Sequence, residues 1–122
     1  MILILIGSAL LIVWGVAHLV PTKNVAKGFG DISEDNRRII TMEWIGEGLT
    51  LVFLGVVMIL VTVLGDVGST VHVIVSLCVI VMLIAMSVVS LLTGFRVKFL
   101  PYKLCPFIFC GSAILIALGS FI

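Results

Sequence analysis

TMEWIGEGLTLVFLGVV, at residues 41–57, combines acidic side chains with a long apolar run. Two carboxylates, Glu43 and Glu47, stand at the start of an apolar run that continues to residue 64. Burying a charge in hydrocarbon is costly, so acids are rare at the head of such a run. The stretch raises two questions: whether lipid or water surrounds this run, and which groups the two carboxylates contact.

The composition indicates that lipid is the main solvent of this chain. Its 122 residues are 62% hydrophobic and 11% charged, whereas soluble domains are about half apolar and about a quarter charged. Four apolar segments approach the roughly 20 residues that an α-helix needs to cross a bilayer. They lie at residues 2–20, 39–64, 71–94 and 104–122. None alternates like a barrel strand or carries the polar face of a soluble bundle helix.

We therefore predict an all-α polytopic membrane protein, an antiparallel bundle of four transmembrane helices. It forms a single domain over residues 1–122, with helices at about 2–20, 34–64, 70–94 and 104–122. Ser33 is expected to cap the second helix, and Pro106 suits the first turn of the fourth, after a turn at Pro101. The short middle loop predicts that the second and third helices are antiparallel neighbours.

The basic residues predict the orientation of the bundle. All seven Lys and Arg fall in the first loop, residues 21–38, or the third, residues 95–103, and none falls in the middle loop. The positive-inside rule then makes the basic loops cytoplasmic and both termini external, in a multi-pass protein of the cell membrane. Because no Lys or Arg precedes the first apolar segment, we expect a retained membrane helix rather than a cleaved secretory signal.

Polar side chains on the predicted helices converge near the basic loops. Residues spaced by three, four and seven share a helix face, which groups Glu43 and Glu47 with Thr50. The first helix brings an aromatic residue and a histidine to a similar depth, and the third brings a serine. We predict a binding pocket formed by Trp14, His18, Glu43, Glu47, Thr50 and Ser90.

A charged Glu47 would need a partner within the bundle. At 1.5 Å per residue it lies about 12 Å beyond residue 39. We expect it to be protonated or paired with His18, and Arg37 or Arg38 to reach Glu43. The alternative is that these contacts are purely structural interhelical hydrogen bonds, each of which stabilises the bundle by about 1 kcal/mol.

The sequence lacks the residues that several classes of function require. The net charge of +1 and the absence of a basic face argue against a nucleic-acid partner. Phosphate-binding loops, nucleophile elbows, HExxH and the Glu-x-x-His pairs of di-iron bundles are absent. We predict no catalytic residue and no metal site, and no cofactor is identified. Cys78, Cys105 and Cys110, an odd number in apolar helices, are expected to be packing residues.

Small residues form two stripes that favour close helix packing. Gly48 and Gly55 share one stripe of the second helix, and Gly111 and Gly119 lie on the fourth. Since one bundle need not use both stripes internally, we predict a homo-oligomer.

Two stretches carry a family resemblance. WGVAHLVP from Trp14 and MEWIGEGLTLVFLG from Met42 resemble the DoxX-like group of small four-helix bacterial membrane proteins. The resemblance implies membrane location and fold more than activity. More distantly, the arrangement is similar to sterol-isomerase-like membrane bundles, which use His and Glu in an intramembrane pocket.

The predicted function follows from this pocket. We expect a small, non-enzymatic membrane protein that binds a hydrophobic or cationic small molecule, or a proton, near the cytoplasmic face. Two alternatives stay open: acid–base chemistry on a lipid-soluble substrate with Glu47 and His18 handling protons, and a structural accessory subunit. The expected partners are the lipid bilayer, the small-molecule ligand and further copies of the chain.

Overall fold

A computed structural model describes residues 1–122 as a bundle of α-helices without strands. Its elements are α1 (Ile2–Leu19), α2 (Thr22–Gly28), α3 (Glu34–Leu64), α4 (Thr70–Leu92), a 3-10 turn (Gly94–Arg96) and α5 (Leu100–Phe121). By length and composition, α1, α3, α4 and α5 could each cross a membrane. This confirms the predicted all-α fold with four long apolar helices, the architecture of a multi-pass membrane protein.

The ends of the helices follow local sequence, with one correction. Ser33 caps α3 as predicted, because its side chain accepts a hydrogen bond from the Asn36 backbone N–H at 3.2 Å. In contrast, α5 begins at Leu100, earlier than the predicted residue 104. Pro101 occupies the first turn of α5, where no intrahelical N–H donor is required. It therefore starts the helix rather than forming a turn, and Pro106 lies inside the helix.

The first loop contains a short helix, α2, that the sequence analysis did not predict. The Thr22 hydroxyl donates to the Leu19 carbonyl at the junction with α1. The Arg37 guanidinium donates to the carbonyls of Ala26 at 3.3 Å and Gly30 at 3.2 Å. These bonds hold the first loop against the start of α3.

The helices do not pack in chain order. α1 packs extensively against both α3 and α5, and α5 also packs against α4, whereas α3 and α4 touch only sparsely. The second and third spans are antiparallel neighbours as predicted, but they contact each other much less than α1 contacts α3. A short loop joins their ends, but it does not force their sides together.

Glycines explain why α1 sits against α3. A Cβ on Gly15 would lie 2.8 Å from the carbonyl oxygen of Gly48, and one on Gly55 would lie 2.6 Å from the carbonyl oxygen of Ser8. Only residues without a side chain permit backbones to approach this closely. The Gly48 and Gly55 stripe of the second span is thus used inside the bundle.

The stripe on α5 is also partly internal. A Cβ on Gly119 would lie 2.6 Å from Ile4 of α1, whereas one on Gly111 would meet nothing within 4 Å. The closest-packing glycines therefore serve contacts within one chain. The homo-oligomer stays a prediction, and these stripes no longer argue for it.

A polar cluster joins α3, α4 and α5 at the end of the bundle that carries the short middle loop. His72 is fully buried, and its Nε2 lies 3.4 Å from the Thr62 hydroxyl. The Ser120 hydroxyl donates to the Ser76 hydroxyl at 3.1 Å. α3 and α4 are consequently connected at this end. The gap between them lies nearer the other end, here called the basic end because all Lys and Arg lie there.

Candidate functional site

A cavity of about 510 Å³ lies among the four long helices near the basic end. Its volume falls within the roughly 300–1,000 Å³ that is usual for small-molecule sites. Most of the wall is apolar, with a few polar groups. The lining residues are Trp14, Ala17, His18, Pro21, Trp44, Glu47, Met82, Ala85, Met86, Val89, Ser90, Thr93, Gly94, Phe99, Pro101, Tyr102 and Cys105.

The structure brings together part of the pocket predicted from the sequence. Trp14, His18, Glu47 and Ser90 all line the cavity. They come from α1, α3 and α4, so residues distant in the chain converge on one space.

Glu43 and Thr50 do not line this cavity. Glu43 is exposed, and the Thr50 hydroxyl donates to the Gly46 carbonyl of its own helix at 2.8 Å. At about 100° per residue, the polar face of α3 is wide, and Glu47 lies at the edge nearest α1. Only that edge reaches the cavity, and the rest of the face borders an opening beside it.

That opening, here called the lateral opening, lies between α3 and α4. It has a volume of about 720 Å³ and shares Trp44, Glu47, Met82, Met86 and Tyr102 with the cavity. Its other lining residues are Phe29, Ile39, Ile40, Glu43, Gly46 and Thr50. Five shared residues make the two spaces adjacent parts of one depression.

His18 is held in place by a residue that the sequence analysis missed, Trp44. The two rings stack with centroids 3.7 Å apart and planes 16° apart. The Trp44 indole N–H also donates to the His18 carbonyl at 2.7 Å. The spacing could have identified Trp44, because it stands three residues before Glu47 and therefore near the same helix face.

His18 faces Glu47 across a gap. Its Nε2 lies 3.6 Å from the Glu47 Oε2, which is longer than a hydrogen bond. This Nε2 has no hydrogen-bond partner, and neither does the buried indole nitrogen of Trp14. The His18 side chain is only 6% exposed, whereas the Glu47 side chain is 39% exposed. The site thus contains a buried imidazole nitrogen, the Nε2 of His18, that protein groups do not satisfy.

Aromatic rings form another part of the cavity wall. The rings of Trp44 and Tyr102 meet edge to face with centroids 5.7 Å apart, and those of Phe99 and Tyr102 do so at 6.0 Å. We call Trp14, Trp44, Phe99 and Tyr102 the aromatic wall. Tyr102 belongs to the wall because α5 starts earlier than predicted, which turns this residue into the bundle.

The predicted arginine partners of Glu43 are wrong. Arg38 pairs with Glu34 one helical turn away, at 3.3 Å, and Arg37 binds carbonyls of the first loop. Both arginines lie on the part of α3 before the bundle, where nearer partners are available. Apart from the Arg38 pair, the only ion-pair contact in the structure is that of His18 with Glu47.

The site has no arrangement suited to a metal ion. No group of three or more His, Cys, Asp or Glu side chains is close enough to hold one. All three cysteines are free thiols, and the Cys105 thiol donates to the Pro101 carbonyl at 3.3 Å. The chemistry available is hydrogen bonding, ion pairing and proton transfer at His18 and Glu47.

Comparison with protein-family models, characterised proteins and solved structures finds no match to this chain. The DoxX-like resemblance therefore stays a prediction from the two quoted stretches.

Proposed function

We propose that this chain is a small multi-pass protein of the cell membrane that binds a hydrophobic or cationic small molecule in the cavity. The basic loops are cytoplasmic and both termini external, as the positive-inside rule requires. The ligand site then lies within the membrane near its cytoplasmic face. The DoxX-like resemblance fits this proposal, since that group consists of small four-helix membrane proteins.

The observation that carries this proposal is the unpartnered Nε2 of His18 on the cavity wall. Buried polar groups in proteins are nearly always hydrogen-bonded, and leaving one unpaired costs about 1–3 kcal/mol. The Nε2 of His18 has no hydrogen-bond partner and borders the cavity. A ligand with a polar group at this position offsets that cost. A purely structural contact among these residues would instead have closed the space.

The proposal is tested by identifying any small molecule that stays bound to the protein during purification. Protein purified in a mild detergent is extracted with organic solvent, and the extract is analysed by mass spectrometry. Ser90→Phe fills the cavity, and Val88→Phe places the same ring on an exposed position of the same helix. We expect a molecule to accompany the wild type and Val88→Phe and to be lost from Ser90→Phe. If the extracts of all three proteins contained the same molecules in the same amounts, the proposal would be contradicted.

A second candidate is acid–base chemistry on such a molecule, favoured by the facing of His18 and Glu47 across 3.6 Å. A substrate carbon beside this pair, within reach of both groups, could lose a proton to one group and gain one from the other. In deuterated water, the retained molecule would then gain deuterium on carbon in the wild type and not in Glu47→Gln. No exchange in either would exclude this chemistry and leave the binding function intact.

A further inference from the structure

The lateral opening lies beside the cavity, on the flank of the bundle between α3 and α4, and five residues line both spaces. The sparse contact between α3 and α4 leaves the gap, while Thr62 and His72 close the opposite end. Gly46 borders the gap, and a Cβ there would meet nothing within 4 Å. A molecule that enters the lateral opening from the bilayer therefore meets residues that also line the cavity.

The charges beside this route favour a cation. Glu43 and Glu47 both border the lateral opening, one helical turn apart, where like charges repel. Neither pairs with Lys or Arg. The His18 side chain, 6% exposed and with an unpartnered Nε2 on the cavity wall, independently indicates a missing polar group.

The aromatic wall selects the kind of cation. Aromatic faces attract an ammonium group by about 0.5–2 kcal/mol, and a neighbouring carboxylate adds an ion pair. Glu47 lies on the same cavity as the aromatic wall. This combination suits an organic ammonium better than a hydrated inorganic ion, which would have to give up water to contact the rings.

We propose that the ligand is a lipophilic amine bound as its ammonium ion and admitted from the bilayer through the lateral opening. Its nitrogen lies between Glu47 and the aromatic wall, with N–H groups toward the Glu47 carboxylate and the His18 Nε2. Its apolar chain lies along Met82 and Met86, which border both spaces. The proposal rests on the proposed binding function and adds the ligand class and the access route.

The charge requirement is tested with dodecylamine, dodecanol and dodecanoate added to protein in nanodiscs of zwitterionic lipid. Both tryptophans of the chain border the cavity, so intrinsic fluorescence reports occupancy. Concentrations are expressed per lipid to correct for partitioning. We expect dodecylamine to bind at least about tenfold more tightly than the other two, as one hydrogen-bonded ion pair implies.

The carboxylate is tested by Glu47→Gln, with Glu34→Gln as the control at the exposed start of the same helix. We expect Glu47→Gln to remove the tenfold advantage of the amine and to leave dodecanol binding unchanged. Circular dichroism checks folding, and Glu43→Gln, expected to show a smaller loss in the same direction, replaces Glu47→Gln if the latter does not fold.

The route is tested by Gly46→Leu, with Gly111→Leu as the matched control, because a Cβ at either glycine meets nothing within 4 Å. Stopped-flow fluorescence should show dodecylamine associating and dissociating severalfold more slowly in Gly46→Leu, with a nearly constant Kd. Gly111→Leu should behave like the wild type.

The outcomes separate the two proposals. If dodecanol and dodecylamine bound equally well and Glu47→Gln changed neither, the ligand would not be an amine, but the proposed binding function would stand. Unchanged kinetics in Gly46→Leu would overturn the access route. If no compound alters fluorescence saturably and no molecule accompanies the purified protein, both the ligand class and the binding function fail.

Discussion

At the scale of single residues, Trp44 determines how His18 is presented to the cavity. Its indole N–H bonds to the His18 carbonyl, and no backbone N–H reaches that oxygen. The side chain thereby satisfies one of the free carbonyls at the end of α1. Its ring covers one face of the imidazole, which leaves the His18 Nε2 toward Glu47.

Trp44→Phe retains an aromatic ring beside His18 but removes the hydrogen bond. We expect the free energy of unfolding to fall by about 0.5–1.5 kcal/mol, the usual net value of one hydrogen bond. Denaturant unfolding in mild detergent, followed by circular dichroism, measures it. Trp14→Phe is the matched control, because the Trp14 indole nitrogen has no partner to lose. Equal losses in the two variants would show that the hydrogen bond is not the source of the effect.

His72 allows a second prediction at this scale. Thr62→Val leaves the buried His72 Nε2 without its partner, and we expect stability to fall by about 0.5–2 kcal/mol, the range for interhelical polar contacts in membranes. Thr41→Val on the same helix should have little effect, since the Thr41 hydroxyl bonds only to the Arg37 carbonyl one turn back. Unchanged thermal unfolding of Thr62→Val would argue that the contact to His72 contributes nothing.

At the scale of helices, α1 packs between α3 and α5 because both partners offer glycine where α1 crosses them. The carbonyl of Ser8 approaches Gly55 of α3, and Ile4 approaches Gly119 of α5. Close backbone approach increases dispersion contact, which drives helix association when lipid already solvates apolar side chains. The position of α1 is therefore set by surface shape rather than by hydropathy.

Gly55→Ala tests this explanation. Its methyl group would lie 2.6 Å from the Ser8 carbonyl oxygen, so α1 and α3 must separate, and we expect a loss of about 1–3 kcal/mol. Gly111→Ala meets nothing within 4 Å and should be neutral or stabilising by up to about 1 kcal/mol, because alanine favours helix. Thermal unfolding in detergent compares them. Equal stability of the two variants would contradict a close α1–α3 interface.

At the scale of the whole molecule, the bundle is joined at one end and open at the other. The buried contact of Thr62 with His72 lies at the joined end, and the cavity lies at the basic end. If the basic end is cytoplasmic, the ligand site is near the cytoplasmic leaflet. The orientation of the protein in the membrane therefore determines from which leaflet the ligand enters.

Single cysteines placed in a variant without Cys78, Cys105 and Cys110 measure the sidedness. Cysteines at Lys27 and Lys98 should react with a membrane-impermeant thiol reagent only after the cytoplasmic side is made accessible. A cysteine at Asp66, in the middle loop, should react from outside in intact cells. The reverse pattern would invert the proposed topology.

The features that could be predicted from the sequence depend on local spacing and on transfer to lipid. Hydropathy established four spans, and capping chemistry located the start of α3 at Ser33. Helical spacing placed His18 and Glu47 on inward faces, and both line the cavity. These properties belong to single helices, so neighbouring residues suffice to predict them.

The contacts between helices, and the spaces that they leave open, could not be predicted from the sequence. The separation of α3 from α4, the stacking of Trp44 on His18 and the exclusion of Glu43 from the cavity all depend on how helix surfaces fit. Away from these few polar residues the helices are apolar on every side, so hydropathy does not distinguish the faces that pack together. In lipid the choice of partner follows close packing and interhelical hydrogen bonds, which exist only once the helices have been brought together.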